Sequence, residues 1–167
     1  FTVVNNQPRR NAASFDLSTG NLNVWNPNMD KRVRCIMYGK NTVYLAGEFT
    51  NVNSAFVGRT YLAEVDDTSG NLTSWNPYAS SWCRSIALSD YGLYAAGEFT
   101  LAGGVLRNRL AAVDNLGNIL PWNPGANNLV YSLLVKDKII YVGGLFSSIG
   151  GQARNRIAAI DRTNGNV

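Results

Sequence analysis

Histidine is absent from this chain, and its absence excludes several kinds of active site. Without an imidazole there is no His-based triad, no His general base and no His ligand for a metal ion. Two cysteines are too few to hold a structural zinc ion by themselves. The aspartates are singly spaced and do not form the pattern of a calcium loop. These residues therefore predict no catalytic centre, no metal site and no bound cofactor.

Charged residues are scarce as well, at 16% of the chain, and Lys and Arg never form a run. The net charge of +4 is spread thinly, so we predict no nucleic-acid partner. No apolar run is long enough to span a bilayer, and we predict no membrane insertion. The composition is rich in Asn, Gly and Ser and poor in Lys, which is typical of extracellular β proteins. We expect a secreted or cell-surface location.

What the chain does contain is a sequence repeat with a period of about 50 residues. Trp25-Asn26-Pro27 recurs at Trp75 and at Trp122, and Gly47-Glu48-Phe49-Thr50 recurs at Gly97. The period divides the chain into units of residues 1–48, 49–98 and 99–145, followed by an incomplete unit, 146–167. A unit of this length buries its apolar surface by stacking on its neighbours.

Within each period, short β-branched and aromatic runs alternate with Gly, Asn, Asp and Ser clusters, and no segment has sustained helical periodicity. This pattern predicts an all-β fold, a β-propeller of four-stranded antiparallel blades. For the blade that begins near Val33 we expect strands at about 33–38, 43–49, 58–66 and 71–76. About three and a half repeats are too few to close a ring, so we expect a segment of a larger propeller rather than closure by association of copies.

The residues that recur in every period are assigned structural roles. Counting back from the Gly-Asn turn places each Trp opposite an Ala on the preceding strand, so that the Trp packs between blades. The Arg four residues before that Ala shares its face and could stack on the Trp. The Asp is expected to cap the hairpin turn with its carboxylate. The recurring residues are Trp25, Trp75, Trp122, Ala13, Ala63, Ala111, Arg9, Arg59, Arg107, Arg154, Asp16, Asp66, Asp114 and Asp161.

The combination of Gly97-Glu98-Phe99-Thr100, the segment Arg107 to Asp114 and Trp122-Asn123-Pro124 resembles the delta-60 repeats of bacterial β-propellers. The resemblance covers the whole chain. It implies a propeller module of a large secreted or surface protein, of bacterial origin, and implies no defined activity.

A weaker likeness connects Ala13, Asp16, Thr19, Gly20 and Trp25 to the tryptophan-docking repeat of quinoprotein dehydrogenases. The spacing differs by one residue on each side of the Asp-to-Gly segment, which argues against direct membership. It leaves open an alternative to a binding or structural module, namely a hydrolase or quinoprotein-like enzyme with its active site in other blades.

Candidate ligand-binding residues follow from the loops that differ between repeats. These are the loops between the second and third strands of a blade and the loops that lead to the next blade; both emerge on one face, which we call the variable face. Its aromatic residues Tyr78, Trp82 and Phe56 suit a protein or glycan partner, although Tyr78 and Trp82 could instead fill blade boundaries. Further blades of the same or another chain are the other expected partner.

Glu48 and Glu98 lie at equivalent repeat positions, and Leu145 replaces them in the third unit. Two carboxylates could flank a glycosidic bond, but repeat symmetry gives them similar environments, whereas an acid and a nucleophile need different ones. We therefore expect a solvated rim. Cys35 and Cys83 are expected to be small thiols on the innermost strands of adjacent blades, and a disulfide between them is not favoured.

Overall fold

The computed structural model describes residues 1–53 and 59–167, in which every regular element is a β-strand. Accordingly, no helix that could span a membrane occurs in the described residues. The strands are β1 (Val3–Val4), β2 (Gln7–Pro8), β3 (Val33–Tyr38), β4 (Thr42–Gly47), β5 (Leu62–Asp66), β6 (Cys83–Ser89), β7 (Gly92–Gly97), β8 (Leu101–Ala102), β9 (Val105–Leu106), β10 (Leu110–Val113), β11 (Val130–Lys136), β12 (Ile139–Gly144), β13 (Ser148–Ile149), β14 (Gln152–Ala153) and β15 (Ile157–Asp161).

Three antiparallel sheets repeat along the chain and form successive blades. The first blade has the strand order β3-β4-β5, the second β6-β7-β10 and the third β11-β12-β15. The innermost strands are neighbours, since β3 contacts β6 and β6 contacts β11. Each sheet takes two strands from one predicted unit and the third strand from the next, so stacking and chain connectivity both join the blades. The prediction of an all-β propeller arc is confirmed.

The fourth strand of each blade is shorter than we predicted. In the first blade it pairs with β5 at a single bridge, Val65 to Leu72, and its ladder ends where Thr73 N–H bonds to the carbonyl of Glu64. The main-chain N–H of Trp75 donates to the hydroxyl of Thr73, at 3.2 Å, and not to the neighbouring strand. Pro77 has no N–H to donate. The outer segment therefore leaves the sheet after about one pair of residues.

Small hairpins, which the sequence did not lead us to expect, occupy the loops between the second and third strands. β8 and β9 pair around Gly103 and Gly104, whose φ angles are +54° and +77°. Two consecutive positive φ angles are typical of a type I′ turn, which suits the twist of a two-residue hairpin. Equivalent hairpins join β1 to β2 and β13 to β14.

The repeated tryptophans are buried between blades, but they do not face the alanines to which we assigned them. Continuing the Val65–Leu72 register places Trp75 opposite Leu62, one residue away from Ala63. Trp75 shares its apolar cluster with Leu62 and with Ala111 of the next blade, while Ala63 packs in the cluster of Trp25. The predicted pairing was therefore wrong by one position, and a one-residue shift moves a side chain to the opposite face of a strand. Ala13, the first of the repeated alanines, is only half-buried.

A tyrosine from the second strand of the same blade packs against the buried Trp. Tyr44 meets Trp75 edge to face, with ring centroids 5.2 Å apart. Tyr94 meets Trp122 in the same way at 5.0 Å. Burial, and then the hydrogen bond and negative charge of Glu64, raise the pKa of Tyr44 to about 12. The phenol therefore remains neutral in this environment.

The repeated arginines bind main chain, which differs from the stacking on Trp that we expected. Arg9, Arg59 and Arg107 each donate to a carbonyl on the outer segment, that of Asn23, Thr73 and Leu120, at 2.7–3.0 Å. That carbonyl lies two residues before the repeated Trp. Because the outer segment has few ladder bonds, the guanidinium supplies a donor that the sheet does not. Arg154 is exposed and bonds to Ala153 and Gln152 instead.

Candidate ligand-binding rim

A β-bulge stands at the start of the innermost strand of every blade. The pairing with the second strand shifts register between Val33 and Cys35, between Cys83 and Ser85, and between Val130 and Ser132. The extra residue in the three bulges is Arg34, Arg84 and Tyr131. A bulge redirects the side chain it carries. These three residues occupy equivalent places on the variable face, where the loops from the preceding blade enter.

A glycine ends the second strand of each blade, three residues after Tyr44, Tyr94 or Tyr141, and makes this geometry possible. A Cβ atom added to Gly97 would lie 2.2 Å from the carbonyl oxygen of Trp82, and Gly47 and Gly144 have the same close approach to Arg32 and Leu129. The residue after the glycine donates its N–H to that same carbonyl, as Glu98 does to Trp82 at 2.9 Å. The absence of a side chain at Gly97 therefore lets the entering chain reach the end of the second strand.

Four side chains from three blades form a continuous row at this rim. The guanidinium carbons of Arg34 and Arg84 lie 5.7 and 5.8 Å from the centroid of the Trp82 ring. Arg84 also lies 4.9 Å from the centroid of Tyr131. These distances are those of cation–π contacts. We call Arg34, Trp82, Arg84 and Tyr131 the rim row.

The two predicted glutamates lie in the same place and neutralise part of its charge. Glu48 accepts a hydrogen bond from Arg34 and is 3.5 Å from Arg32. Glu98 accepts two hydrogen bonds from Arg84, one of them from Nε at 2.8 Å. The glutamates have the same kind of partner in both blades, so their environments are alike. This arrangement lacks the contrast between an acid and a nucleophile that glycoside hydrolysis requires.

The structure distributes the three predicted aromatics differently. Trp82 is 37% exposed and belongs to the rim row, so it partly fills a blade boundary and partly faces solvent. Tyr78 is also exposed but lies at the other end of the same loop, where its carbonyl accepts the N–H of Gly103. Phe56 lies outside the described residues.

Tyr78 has a positive φ angle of 45°, which is unusual for a bulky side chain. The equivalent residues are Asn28 and Gly125, with φ angles of 46° and 54°. Asn and Gly tolerate this left-handed conformation, whereas Tyr does so with strain. The backbone of the loop is thus common to the repeats, and only the second blade places an aromatic ring on it.

The loops of the variable face are fixed to one another by one side chain per blade. The carboxylate of Asp30 accepts N–H bonds from Thr50 and Asn51, at 2.8 and 3.1 Å. Burial raises the pKa of Asp30, but the hydrogen bonds from Thr50 and Asn51 outweigh it and lower the pKa overall. Ser80 and Asn127 accept the equivalent bonds in the next two blades. These bonds connect the loops that flank the rim row.

The opposite face carries the aspartate turns, which repeat closely. The carboxylate of Asp16 accepts bonds from the main chain and the hydroxyl of both Ser18 and Thr19. The hydroxyl bond from Ser18 and the bonds from Thr19 lower the pKa of Asp16 to about 2. Hydrogen bonds within their own turns also lower the pKa of Asp66, Asp114 and Asp161. Their carboxylates are engaged within the turns.

Cys35 and Cys83 are free thiols on β3 and β6. Cys83 is buried, and Cys35 is half-buried. Burial, with a smaller effect from Cys35, raises the pKa of Cys83. Among residues 1–53 and 59–167, no group of three or more Cys, Asp or Glu side chains is arranged to hold a metal ion.

The sequence prediction named Trp82, Glu48 and Glu98, which lie at this rim, but did not name their neighbours Arg34, Arg84 and Tyr131. A signal was present, since an Arg stands at both position 34 and position 84, directly after Val or Cys at the start of the innermost strand. What could not be read was the bulge, because an extra residue in a strand leaves no fixed mark on an alternating pattern.

The chain folds as part of a β-propeller, and comparisons with known proteins agree with this class. A family model described as a domain of unknown function (DUF5122) beta-propeller matches residues 137–166. No curated protein matches the chain.

Solved structures of two computationally designed proteins are similar in fold. The chain is 16% identical to Ika4, with a TM-score of 0.62, over 89% of this chain and 78% of that one. It is 15% identical to Ika8, with a TM-score of 0.60, over 92% of this chain and 53% of that one. At these identities the likeness concerns the fold alone.

Proposed function

We propose that this chain is a non-catalytic binding and scaffolding module, and that its ligand contacts lie on the variable face around Trp82, Glu48 and Glu98. The observation that carries the proposal is the rim row. It joins side chains of three blades, includes two exposed rings and stands on loops that are fixed by Asp30, Ser80 and Asn127.

Contrast with the buried tryptophans supports a separate role for Trp82. Trp25, Trp75 and Trp122 are at most 4% exposed, whereas Trp82 is 37% exposed. Trp82 has no aromatic counterpart at Arg32 or Leu129, the equivalent positions in the other blades. A ring that occurs in one blade only is not required by the repeat itself, and exposed aromatic residues are enriched in binding surfaces.

The strained Tyr78 gives the same face a second candidate contact. Its left-handed backbone is easily adopted by Asn28 and Gly125 in the other blades, so the Tyr is retained at a conformational cost. Strain of this kind motivates a functional hypothesis for the side chain. We include Tyr78 as a secondary contact on the outer part of the variable face.

The setting we propose is a secreted or cell-surface protein of bacterial origin, with repeats of the delta-60 type. This assignment rests on the repeated Trp-Asn-Pro and Gly-Glu-Phe-Thr motifs and on the composition. The partner we propose is a protein or a glycan, and further blades from the same or another chain would pack on the stack. Exposed rings beside hydrogen-bonding groups suit either kind of ligand.

A glycan array and a pull-down of surface proteins would test the location of the site. We expect Trp82→Ser to abolish binding and Tyr78→Ser to weaken it. Variants of the turns 18–21 and 69–71, on the opposite face, should bind as the wild type does. Each variant is first shown to be folded by circular dichroism. If the turn variants lose binding while Trp82→Ser retains it, the proposed site is on the wrong face.

A further inference from the structure

The rim row combines aromatic rings with guanidinium groups. Its location indicates where a ligand would bind, and this chemistry indicates which class of ligand. Building on the function proposed above, we propose that the rim binds an acidic glycan, one whose sugar rings carry carboxylate groups. The rings of Trp82 and Tyr131 would contact the apolar face of a sugar, and guanidinium groups would bind its carboxylate.

The charge balance of the rim leaves it cationic. Among residues 1–53 and 59–167, the ion pairs of Arg32, Arg34 and Arg84 are with Glu48 and Glu98 alone. The third blade adds the uncharged Tyr131 and Leu145 at the corresponding positions. One guanidinium charge is therefore not matched within the rim. The side chain of Arg32 is 67% exposed and its Nη1 lies 3.5 Å from Glu48, so the guanidinium is accessible to a ligand. A guanidinium with free donors is suited to a planar carboxylate.

The aromatic surface provides the second element of recognition. Tyr131 is 41% exposed and Trp82 is 37% exposed, and Arg84 lies against both rings. A guanidinium that stacks on a ring keeps its N–H groups at its edge, where they can reach a ligand lying on the neighbouring ring. Stacking and charge are thus presented side by side along the row.

The same features argue against other anionic ligands. A nucleic acid carries a dense series of phosphates and is bound by clustered cations, whereas Glu48 and Glu98 stand within this rim. A neutral glycan would use the rings but leave the excess guanidinium charge unpartnered. An acidic glycan carries one carboxylate on each sugar ring. It therefore matches both the alternation of guanidinium groups and aromatic rings along the rim row and the modest net positive charge of the rim.

The experiment titrates the folded chain with an oligogalacturonate and, in parallel, with a neutral galacto-oligosaccharide of equal length. Binding is followed by calorimetry and by tryptophan fluorescence, in which Trp82 is the most exposed of the four emitting residues. We expect binding of the acidic oligosaccharide, weakening as salt is raised, and binding of the neutral one at least about tenfold weaker, since a charge-assisted hydrogen bond is lost.

Two variants and one control locate the charge effect. Arg32→Gln removes the exposed guanidinium. It should weaken binding of the acidic oligosaccharide about tenfold or more and leave binding of the neutral one unchanged. Arg84→Lys keeps the charge but removes the planar stacking group, and it should also weaken binding of the acidic oligosaccharide. Arg10→Gln alters an exposed arginine outside the rim and should change nothing. Thermal unfolding checks that each variant is folded.

Equal binding of the acidic and neutral oligosaccharides, or no effect of Arg32→Gln in a folded chain, would overturn the acidic-glycan proposal. If neither sugar binds but a partner found by array or pull-down is lost in Trp82→Ser, the binding-module function stands and the ligand class is wrong. If that variant loses no partner either, both proposals fail together.

Discussion

The indole N–H of Trp75 donates a 2.9 Å hydrogen bond to the main-chain carbonyl of Asp114, which lies in the next blade. Trp25 and Trp122 form the same bond with Asp66 and Asp161, each at 3.0 Å. The carboxylate of each Asp holds the turn that presents the carbonyl. The two most regular motifs of the sequence, the Trp-Asn-Pro triplet and the aspartate turn, are therefore the two halves of one contact between blades.

Removing the Trp75 ring should destabilise the fold strongly. Trp75 is 2% exposed and packs against Tyr44, so Trp75→Ala leaves a large cavity and is expected to cost about 3–5 kcal/mol. Trp75→Phe retains much of the ring but removes the indole N–H, while the carbonyl of Asp114 keeps its bond from the N–H of Gly117 at 3.1 Å. We therefore expect a loss of about 0.5–1.5 kcal/mol beyond the lost volume, the net contribution of one hydrogen bond. Chemical denaturation followed by circular dichroism measures both.

Trp82→Ala is the matched control, because that ring is the exposed one. Its loss should cost clearly less than the loss of Trp75. An unfolding free energy reduced by under about 1 kcal/mol in Trp75→Ala would show that the blade interface does not depend on this ring.

The spacing of motifs predicted the fold and the inter-blade role of Trp25, Trp75 and Trp122, because period and residue type are direct consequences of stacking. The register of Trp75 was predicted wrongly by one residue. Counting from the turn placed Ala63 opposite Trp75, whereas the structure has Leu62 there. Single-residue register depends on the conformation of the turn, which the motif does not specify.

The role of Arg107 could not be predicted for a related reason. The spacing between the repeated Arg and Trp, as from Arg107 to Trp122, is compatible with stacking on the ring or with bonding to the nearby main chain. The short fourth strand decides the matter, since its carbonyls lack ladder partners. The length of that strand depends on where the chain leaves the sheet, which the sequence does not specify. The sequence therefore predicted that Arg107 lies near the outer segment, but not that it bonds to the main chain there.

Acid should weaken the fold through the aspartate turns. The pKa of Asp16 is lowered to about 2 by its hydrogen bonds, among which that from the Ser18 hydroxyl has the largest effect. A carboxyl with a depressed pKa stabilises the fold above its unfolded pKa of about 4, and this contribution is lost as the pH falls toward about 2. Asp16→Asn removes the titrating group.

We therefore expect the midpoint of urea unfolding to fall between pH 5 and pH 3 by less in Asp16→Asn than in the wild type. Asp137→Asn is the control, because the carboxylate of Asp137 lies 3.8 Å from the ammonium of Lys136 and both side chains are largely exposed. Identical pH profiles for the wild type and Asp16→Asn would contradict the role of the turn carboxylate.

Arg107 should contribute to stability through its fork of donors. It is buried and donates to the carbonyls of Leu106 and Leu120, at 2.8 and 2.9 Å. Arg107→Lys cannot make both bonds from one planar group, and we expect a loss of about 1–3 kcal/mol in chemical denaturation. The equivalent change Arg154→Lys affects an exposed side chain and should cost well under that amount. Equal losses in the two variants would mean that the bond to the outer segment contributes little.

Gly97→Ala tests whether close packing at the bulge builds the rim. The added Cβ would lie 2.2 Å from the carbonyl oxygen of Trp82 and 3.0 Å from the Cα of Cys83, both in the main chain. Main-chain atoms cannot move aside as a flexible side chain can, so overpacking should cost about 1–3 kcal/mol or more in chemical denaturation. The displaced Trp82 should also become more accessible to a fluorescence quencher.

Gly104→Asn is the control, because a Cβ there meets no atom within 4 Å and Asn tolerates the φ angle of +77°. A Gly97→Ala protein with wild-type stability and unchanged quenching of Trp82 would show that the bulge relaxes freely, and that the position of Arg84 and Trp82 does not depend on this glycine.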